Sequence, residues 1–178
     1  MIVCAGRNET FDFAQEIGVG LIESAINLTK ICLLDKPDSI LFIGSAGSYG
    51  RYEIFDIVES RQASNIELSF LTNSSYTPLD KILESDNNMM RNETIVNSSN
   101  YISIDEEIAK QYDKYSIGIE NMEFFSILQV AREFDIPVAG VFIVTNYTNE
   151  NAHKDFIKNH KEAMKKLSEY LVEKKIIN

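Results

Sequence analysis

A chain of 178 residues, 44% hydrophobic and 25% charged, holds enough apolar material for one domain with a full core. Its formal net charge of -10 repels nucleic-acid phosphates and anionic lipid, so no nucleic-acid partner and no membrane partner are expected. Cys4 and Cys32 make no disulfide framework and are expected as buried thiols, and His153 and His160, with no CxxC or HxxxH spacing, make no metal site.

In chain order, "MIVCA" opens as a buried strand, and "MIVCAGRNETF" lacks the basic and long apolar regions of a signal peptide. No apolar run reaches the roughly 18 residues that a membrane helix needs, so a cytoplasmic protein is expected. Residues 21–34 have helical spacing, with Ile22, Ile26, Thr29 and Leu33 on the expected core face, and stop before Pro37. "SILFIG" (39–44) is a continuous apolar run and reads as a central strand. Residues 54–58 and 63–71 read as further strands. Residues 72–91, rich in Asn, Ser and Asp, read as a mobile loop.

Residues 93–99 form a strand, 105–112 a short helix, 115–120 a strand and 122–134 a helix that breaks at Pro137. "VAGVFIVTN" (138–146) is a second nearly all-apolar strand. Residues 151–174 close the chain as a helix with Phe156, His160, Met164, Leu167 and Leu171 on one face. The lysines of that helix (Lys154, Lys158, Lys161, Lys165, Lys166, Lys174, Lys175) alternate with acids and read as a solvated face. The alternation predicts a single-domain α/β fold, 1–178, whose mixed, mostly parallel sheet carries helices on both faces.

Four places could carry chemistry. "IGSAGSYG" (43–50) follows the central strand, and Gly44 and Gly47 would let it turn so that backbone N–H groups and Ser45 face an anion or a sugar hydroxyl. A plain strand-ending turn is the structural alternative. In "VNSSNYISI" (96–104), Tyr101 could stack on a planar base or simply cap the core. In "GIENMEFF" (118–125), Glu123 stands at a strand-to-helix corner, where a carboxylate can grip a vicinal diol or merely complement the helix dipole. Asn146, ending the second apolar strand, carries an amide that could read a purine's imidazole edge and 6-substituent together, or form a structural Asx-turn.

In this order, "KPDSILFIGSAGS", "FDIVES", "NSSNYIS" and "IENMEFFSILQVAREFDIPVAGVFIVTN" resemble the nucleoside phosphorylase superfamily. That superfamily includes purine nucleoside phosphorylases, uridine phosphorylases and methylthioadenosine/adenosylhomocysteine nucleosidases. The chain resembles a short member reduced at its N-terminal end.

The resemblance implies that Glu123 binds the ribose 2′- and 3′-hydroxyls, with Met122 packing under the sugar. It makes Tyr101 the base-stacking aromatic, the Ile102 backbone a reader of the base edge, and Asn146 the base-recognition and catalytic group. Ser45 and Gly47 match the part of the pocket that holds phosphate or an attacking water. Phe42 stands where many relatives carry a phosphate-binding arginine, which leaves Arg7, or failing it Arg51, as the compensating cation. The nucleosidases' catalytic glutamate has its nearest counterpart by position in Glu9, without supporting context.

The activity implied is phosphorolysis of purine nucleosides, a glycosyltransferase reaction of nucleotide salvage. Phosphate is then a co-substrate and no other cofactor is needed. Because Asn146 is an amide, a 6-oxopurine base is expected. Hydrolysis by water and nucleoside binding without turnover are the alternatives. The resemblance also implies a homo-oligomer, a dimer or larger, with Phe70 and Leu71 as interface candidates.

Overall fold

The computed structural model describes residues 1–88 and 90–178. The elements run β1 (Ile2–Cys4), β2 (Gln15–Glu16), α1 (Gly20–Leu34), β3 (Ile40–Ser48), β4 (Ile57–Ser60), β5 (Gln62–Ser64) and α2 (Leu68–Leu71). They continue with β6 (Ile82–Glu84), β7 (Ile95–Asn97), α3 (Glu106–Lys114), β8 (Ile117–Glu120), α4 (Phe124–Glu133), β9 (Val138–Tyr147) and α5 (Ala152–Glu173). One sheet holds all of these strands, and β3 and β9, the two apolar runs, lie parallel side by side at its centre.

Both faces of that pair are buried, which is why their sequences are continuous apolar runs rather than alternating ones. Phe42 and Phe142 point to one face and pack with Phe124, beneath α1 and α4. Ile43, Val141 and Ile143 point to the other and pack with Ala163, Leu167 and Leu171 of α5. The sheet is mixed, mostly parallel, and covered by helices on both faces, as the sequence pattern predicts. Cys4 and Cys32 are buried free thiols.

Several local readings change. Residues 43–50 do not turn at Gly44 or Gly47: β3 runs straight through to Ser48, and in this stretch only Gly50 has a positive φ. The two glycines instead permit close approach. A Cβ at Gly44 would lie 2.9 Å from a Glu9 carboxyl oxygen, and one at Gly47 would lie 3.1 Å from the Asn146 amide nitrogen.

The buried face of α1 is Gly20, Ser24, Leu28 and Cys32, while Ile22, Ile26 and Leu33 are exposed. The Ser24 and Ser126 hydroxyls touch at 2.6 Å where α1 lies on α4, so small residues made the contact face and helical spacing alone pointed elsewhere. On α5, Asn159 and Ala163 join Leu167 and Leu171 in the core, and Phe156, His160 and Met164 sit half-buried beside them.

Residues 63–71 are not one strand: β5 ends at Ser64, and Leu68–Leu71 turn as α2. Leu71 is buried there and Phe70 is packed against the same cluster beneath the Lys81 ammonium, so neither is a free interface residue. Within 72–91, Ile82–Glu84 pairs antiparallel with β5 and buries Leu83; Met89 lies outside the described residues.

Candidate active site

The site forms where two strands part company along one edge of β3. Near its start, β3 pairs with β1 on that edge (Val3 opposite Phe42). Near its end it pairs there with antiparallel β8 (Gly47 opposite Glu120), while β9 fills the other edge throughout. Residues between Phe42 and Gly47 therefore have no strand partner on the open edge. Buried backbone groups must still be satisfied. Side chains do it here: the Ser45 N–H donates to both Glu9 carboxyl oxygens at 3.3 Å, and the Ser45 carbonyl accepts from Asn121 Nδ2 at 3.1 Å. Ser45 Oγ also donates to Glu9 Oε1.

A cavity of about 310 Å³ opens over this gap. Glu123, Met122, Tyr101 and Ile102 line it, and so do Asn146, Ser45, Gly47 and Arg7. These eight residues singled out from the sequence thus line one cavity. Glu9, Glu120, Asn121, His153 and Phe156 complete its chemically relevant wall.

Glu123 precedes the first turn of α4. Its position is fixed by Asn121, whose Oδ1 accepts from the backbone N–H groups of Glu123 (2.9 Å) and Phe124 (3.0 Å), capping the helix. Its Oε1 accepts from the Gly20 N–H at 2.8 Å, the first residue of α1. Burial, and then the nearby Glu9 carboxyl, raise the Glu123 pKa from 4.5 to about 8.

Glu9 had no supporting signal in the sequence, because it lies in an irregular loop. Gly6 and Glu9 close that loop by bonding each other's backbones at 3.0 and 3.2 Å, with Gly6 and Arg7 both at positive φ. The Asn8 carbonyl is held by His160 Nε2 of α5 at 2.6 Å, which requires the imidazole N–H on that nitrogen. The turn thereby delivers Glu9 to Ser45. Burial raises the Glu9 pKa and the Ser45 bonds oppose that rise.

At the other end of the cavity, Tyr101 and Ile102 sit on the irregular segment between β7 and α3, 85% and 51% exposed. Asn146 is buried at the end of β9. Its Oδ1 accepts from the Thr145 hydroxyl at 2.9 Å, and its Nδ2 donates to the Tyr147 carbonyl at 3.2 Å. One amide N–H remains for a ligand. Glu120 lies across Gly47 from Asn146 and is held neutral to higher pH than usual by burial.

Of the cations considered for phosphate, Arg51 is tied to Asp113 at 2.8 Å and does not line the cavity. Arg7 does line it, exposed and paired with Glu23 at 3.2 Å. Phe42 is fully buried in the aromatic cluster of the core, so that position offers nothing to an anion. Among the described residues, no group of three or more His, Cys, Asp or Glu could hold a metal, and no helix is long and apolar enough to cross a membrane.

Residues 89–174 match the sequence model of the phosphorylase superfamily. No curated protein sequence matches the chain significantly. Among solved structures, a mutant of the Helicobacter pylori methylthioadenosine nucleosidase, with 5′-methylthioadenosine in its active site, superposes with a TM-score of 0.82 at 15% identity, covering 97% of this chain and 96% of that one. A mutant of the futalosine hydrolase of the same organism gives 0.81 at 15% identity, with the same two coverages. The Streptococcus pneumoniae methylthioadenosine/adenosylhomocysteine nucleosidase bound to 8-aminoadenine gives 0.77 at 15% identity, covering 96% of this chain and 95% of that one. The chain shares the fold of these nucleosidases and this hydrolase over nearly its whole length, and its residues 89–174 match the sequence model of the phosphorylase superfamily.

Proposed function

We propose that this protein hydrolyses the N-glycosidic bond of a purine nucleoside, with a water activated by Glu9 as the nucleophile. The supporting observation is the position of Glu9: a buried carboxyl bonded to the Ser45 amide and hydroxyl, in the same cavity as Glu123. Departure of the base leaves positive charge on the sugar. Once ionised, Glu9 and Glu123 favour a developing cation in the cavity, and Arg7 is already paired with Glu23, so a phosphate dianion would find little compensation there.

In this reading Glu123 accepts hydrogen bonds from the ribose diol, Met122 packs under the sugar, and Tyr101 stacks on the base with the Ile102 backbone at its edge. The water oxygen bonds to the anomeric carbon and its proton passes to Glu9. The electrons of the broken C–N bond leave with the base. Asn146 cannot surrender a proton, so its remaining N–H stabilises the departing base by hydrogen bonding alone. That suits a 6-oxopurine, whose anion is the better leaving group. The similar nucleosidases and futalosine hydrolase support a hydrolytic reading without fixing the base.

Phosphorolysis is kept as a second reading by Arg7, a guanidinium on the cavity wall, which would sit beside Ser45 and Gly47 as the phosphate ligand. The experiment is base release from inosine, adenosine and 5′-methylthioadenosine with and without phosphate. Phosphate-independent release of free sugar, fastest from inosine, is expected. Turnover that needs phosphate and is lost in Arg7→Ala would replace hydrolysis by phosphorolysis. Tight nucleoside binding without turnover would reject catalysis in favour of a binding protein.

A further inference from the structure

Glu120 is a half-buried acid on the cavity wall that neither the ribose grip nor the attack on the sugar uses. Its backbone is fixed from both sides, opposite Gly47 of β3 and Asn97 of β7. Its carboxyl receives three hydrogen bonds: from the Ser103 N–H at 2.9 Å, the Ser103 hydroxyl at 2.6 Å and the Tyr49 hydroxyl at 2.8 Å. Tyr49 is itself buried and stacked on Tyr112 with ring centroids 4.5 Å apart.

Ser103 directly follows Tyr101 and Ile102. Those two side chains are mostly exposed, so packing does not hold them; their neighbours do. On the near side Asn100 accepts from the Leu21 N–H at 2.9 Å, and on the far side Ser103 is tied to Glu120. An irregular segment with little burial gains its order from such side-chain bonds, since each residue otherwise retains its backbone entropy.

We propose that Glu120 is a positioning residue, the latch that fixes the Tyr101–Ile102 arm over the base end of the cavity and so sets affinity for the base without acting on the bond that breaks. The identity of the ligand rests on the nucleoside reading above; the latch itself does not.

The test compares Glu120→Ala with Glu120→Gln. A glutamine keeps the latch, because its oxygen can accept from the Ser103 N–H while the Ser103 and Tyr49 hydroxyls reverse to accept from its amide. Amide hydrogen exchange across 99–104, measured without ligand, should speed up on the order of tenfold in Glu120→Ala and remain near wild type in Glu120→Gln. Binding of hypoxanthine and adenine by calorimetry, and KM for the nucleoside turned over, should weaken by a similar factor in the alanine variant. kcat should stay within about threefold.

Exchange across the arm unchanged in Glu120→Ala, or a glutamine variant as impaired as alanine, would overturn the latch. Should Glu120→Ala fail to fold, the double variant Ser103→Ala/Tyr49→Phe removes two of the three bonds and is held to the same exchange outcome. If the wild-type protein bound neither base, the nucleoside reading would fail, while the exchange result would still decide whether Glu120 holds the arm.

Discussion

Of the carboxyls on the cavity wall, Glu9 and Glu123 have neighbours that suit them to different parts of the proposed reaction. Glu9 is bonded to Ser45 through both backbone and hydroxyl, so its oxygens are aimed along the open edge of β3 where a small nucleophile would rest. Glu123 accepts from the Gly20 N–H through one oxygen and lines the cavity, where it can accept from a ligand's hydroxyls. Replacing Glu9 by Gln removes a proton acceptor but keeps a hydrogen-bonding group. We expect kcat to fall on the order of 10²–10³-fold with KM little changed. Glu123→Gln should instead raise KM for a ribonucleoside and matter far less for a 2′,3′-dideoxynucleoside, which has no diol to grip. Steady-state kinetics on both substrates checks the division; equal losses in kcat for the two variants would refute it. Glu123, Asn146 and Tyr101 were legible in the sequence because each stands where an apolar strand ends. Glu9 was not, since a tight turn closed by Gly6 and anchored by His160 leaves no periodic trace.

At the scale of elements, the site depends on a discontinuity in pairing. β1 leaves the edge of β3 after Val3 opposite Phe42, β8 joins it at Gly47, and Asn121 bridges the interval. One side chain thus caps α4, orients Glu123 and satisfies the Ser45 carbonyl. Asn121→Ala should lower stability by about 1–2 kcal/mol, the loss of a cap together with a buried bond. It should also reduce kcat/KM by more than that loss of stability explains, because Glu123 and Ser45 are loosened together. Urea denaturation and kinetics on the folded variant measure the two effects; full activity at lower stability would show that Asn121 is only a cap. Nothing in "GIENMEFF" shows that Asn121 reaches across to β3, because the open edge is a product of strand order. The same limit applies to "IGSAGSYG". Its glycines suggest a turn, yet the strand continues, and their absent side chains make room for Glu9 and Asn146. In α1, apolar residues occur on more than one face, and the packing of Leu28 and Cys32 in the core, with the contact between Ser24 and Ser126, decides which face is inside.

Across the whole molecule, stability and activity should depend on pH in opposite directions. Burial raises the pKa of Glu9, Glu120 and Glu123, so each binds its proton more tightly in the folded protein than in the unfolded chain. Stability contributed this way is fully present below the ordinary carboxyl pKa and is lost as pH rises through the folded one. For Glu123 that window runs from 4.5 to about 8. The Glu9 carboxyl adds to the rise at Glu123, so ionising Glu9 first makes Glu123 harder to ionise. The proposed hydrolysis needs the opposite state, Glu9 ionised to take a proton and Glu123 ionised to accept from two hydroxyls. The ascending limb of kcat/KM against pH should therefore lie well above the usual carboxyl range, toward about 8. Over the same interval the melting temperature of the unliganded protein should fall. In Glu123→Gln that fall should shrink, leaving the variant more stable than wild type by about 5 °C at pH 8.5 and indistinguishable from it near pH 4.5. Melting curves of both proteins across this range, paired with the kinetic profile, test the claim. A glutamine variant less stable at pH 8.5, or an activity limb centred below pH 5, would mean that the site holds its charges without cost and that burial does not govern the chemistry.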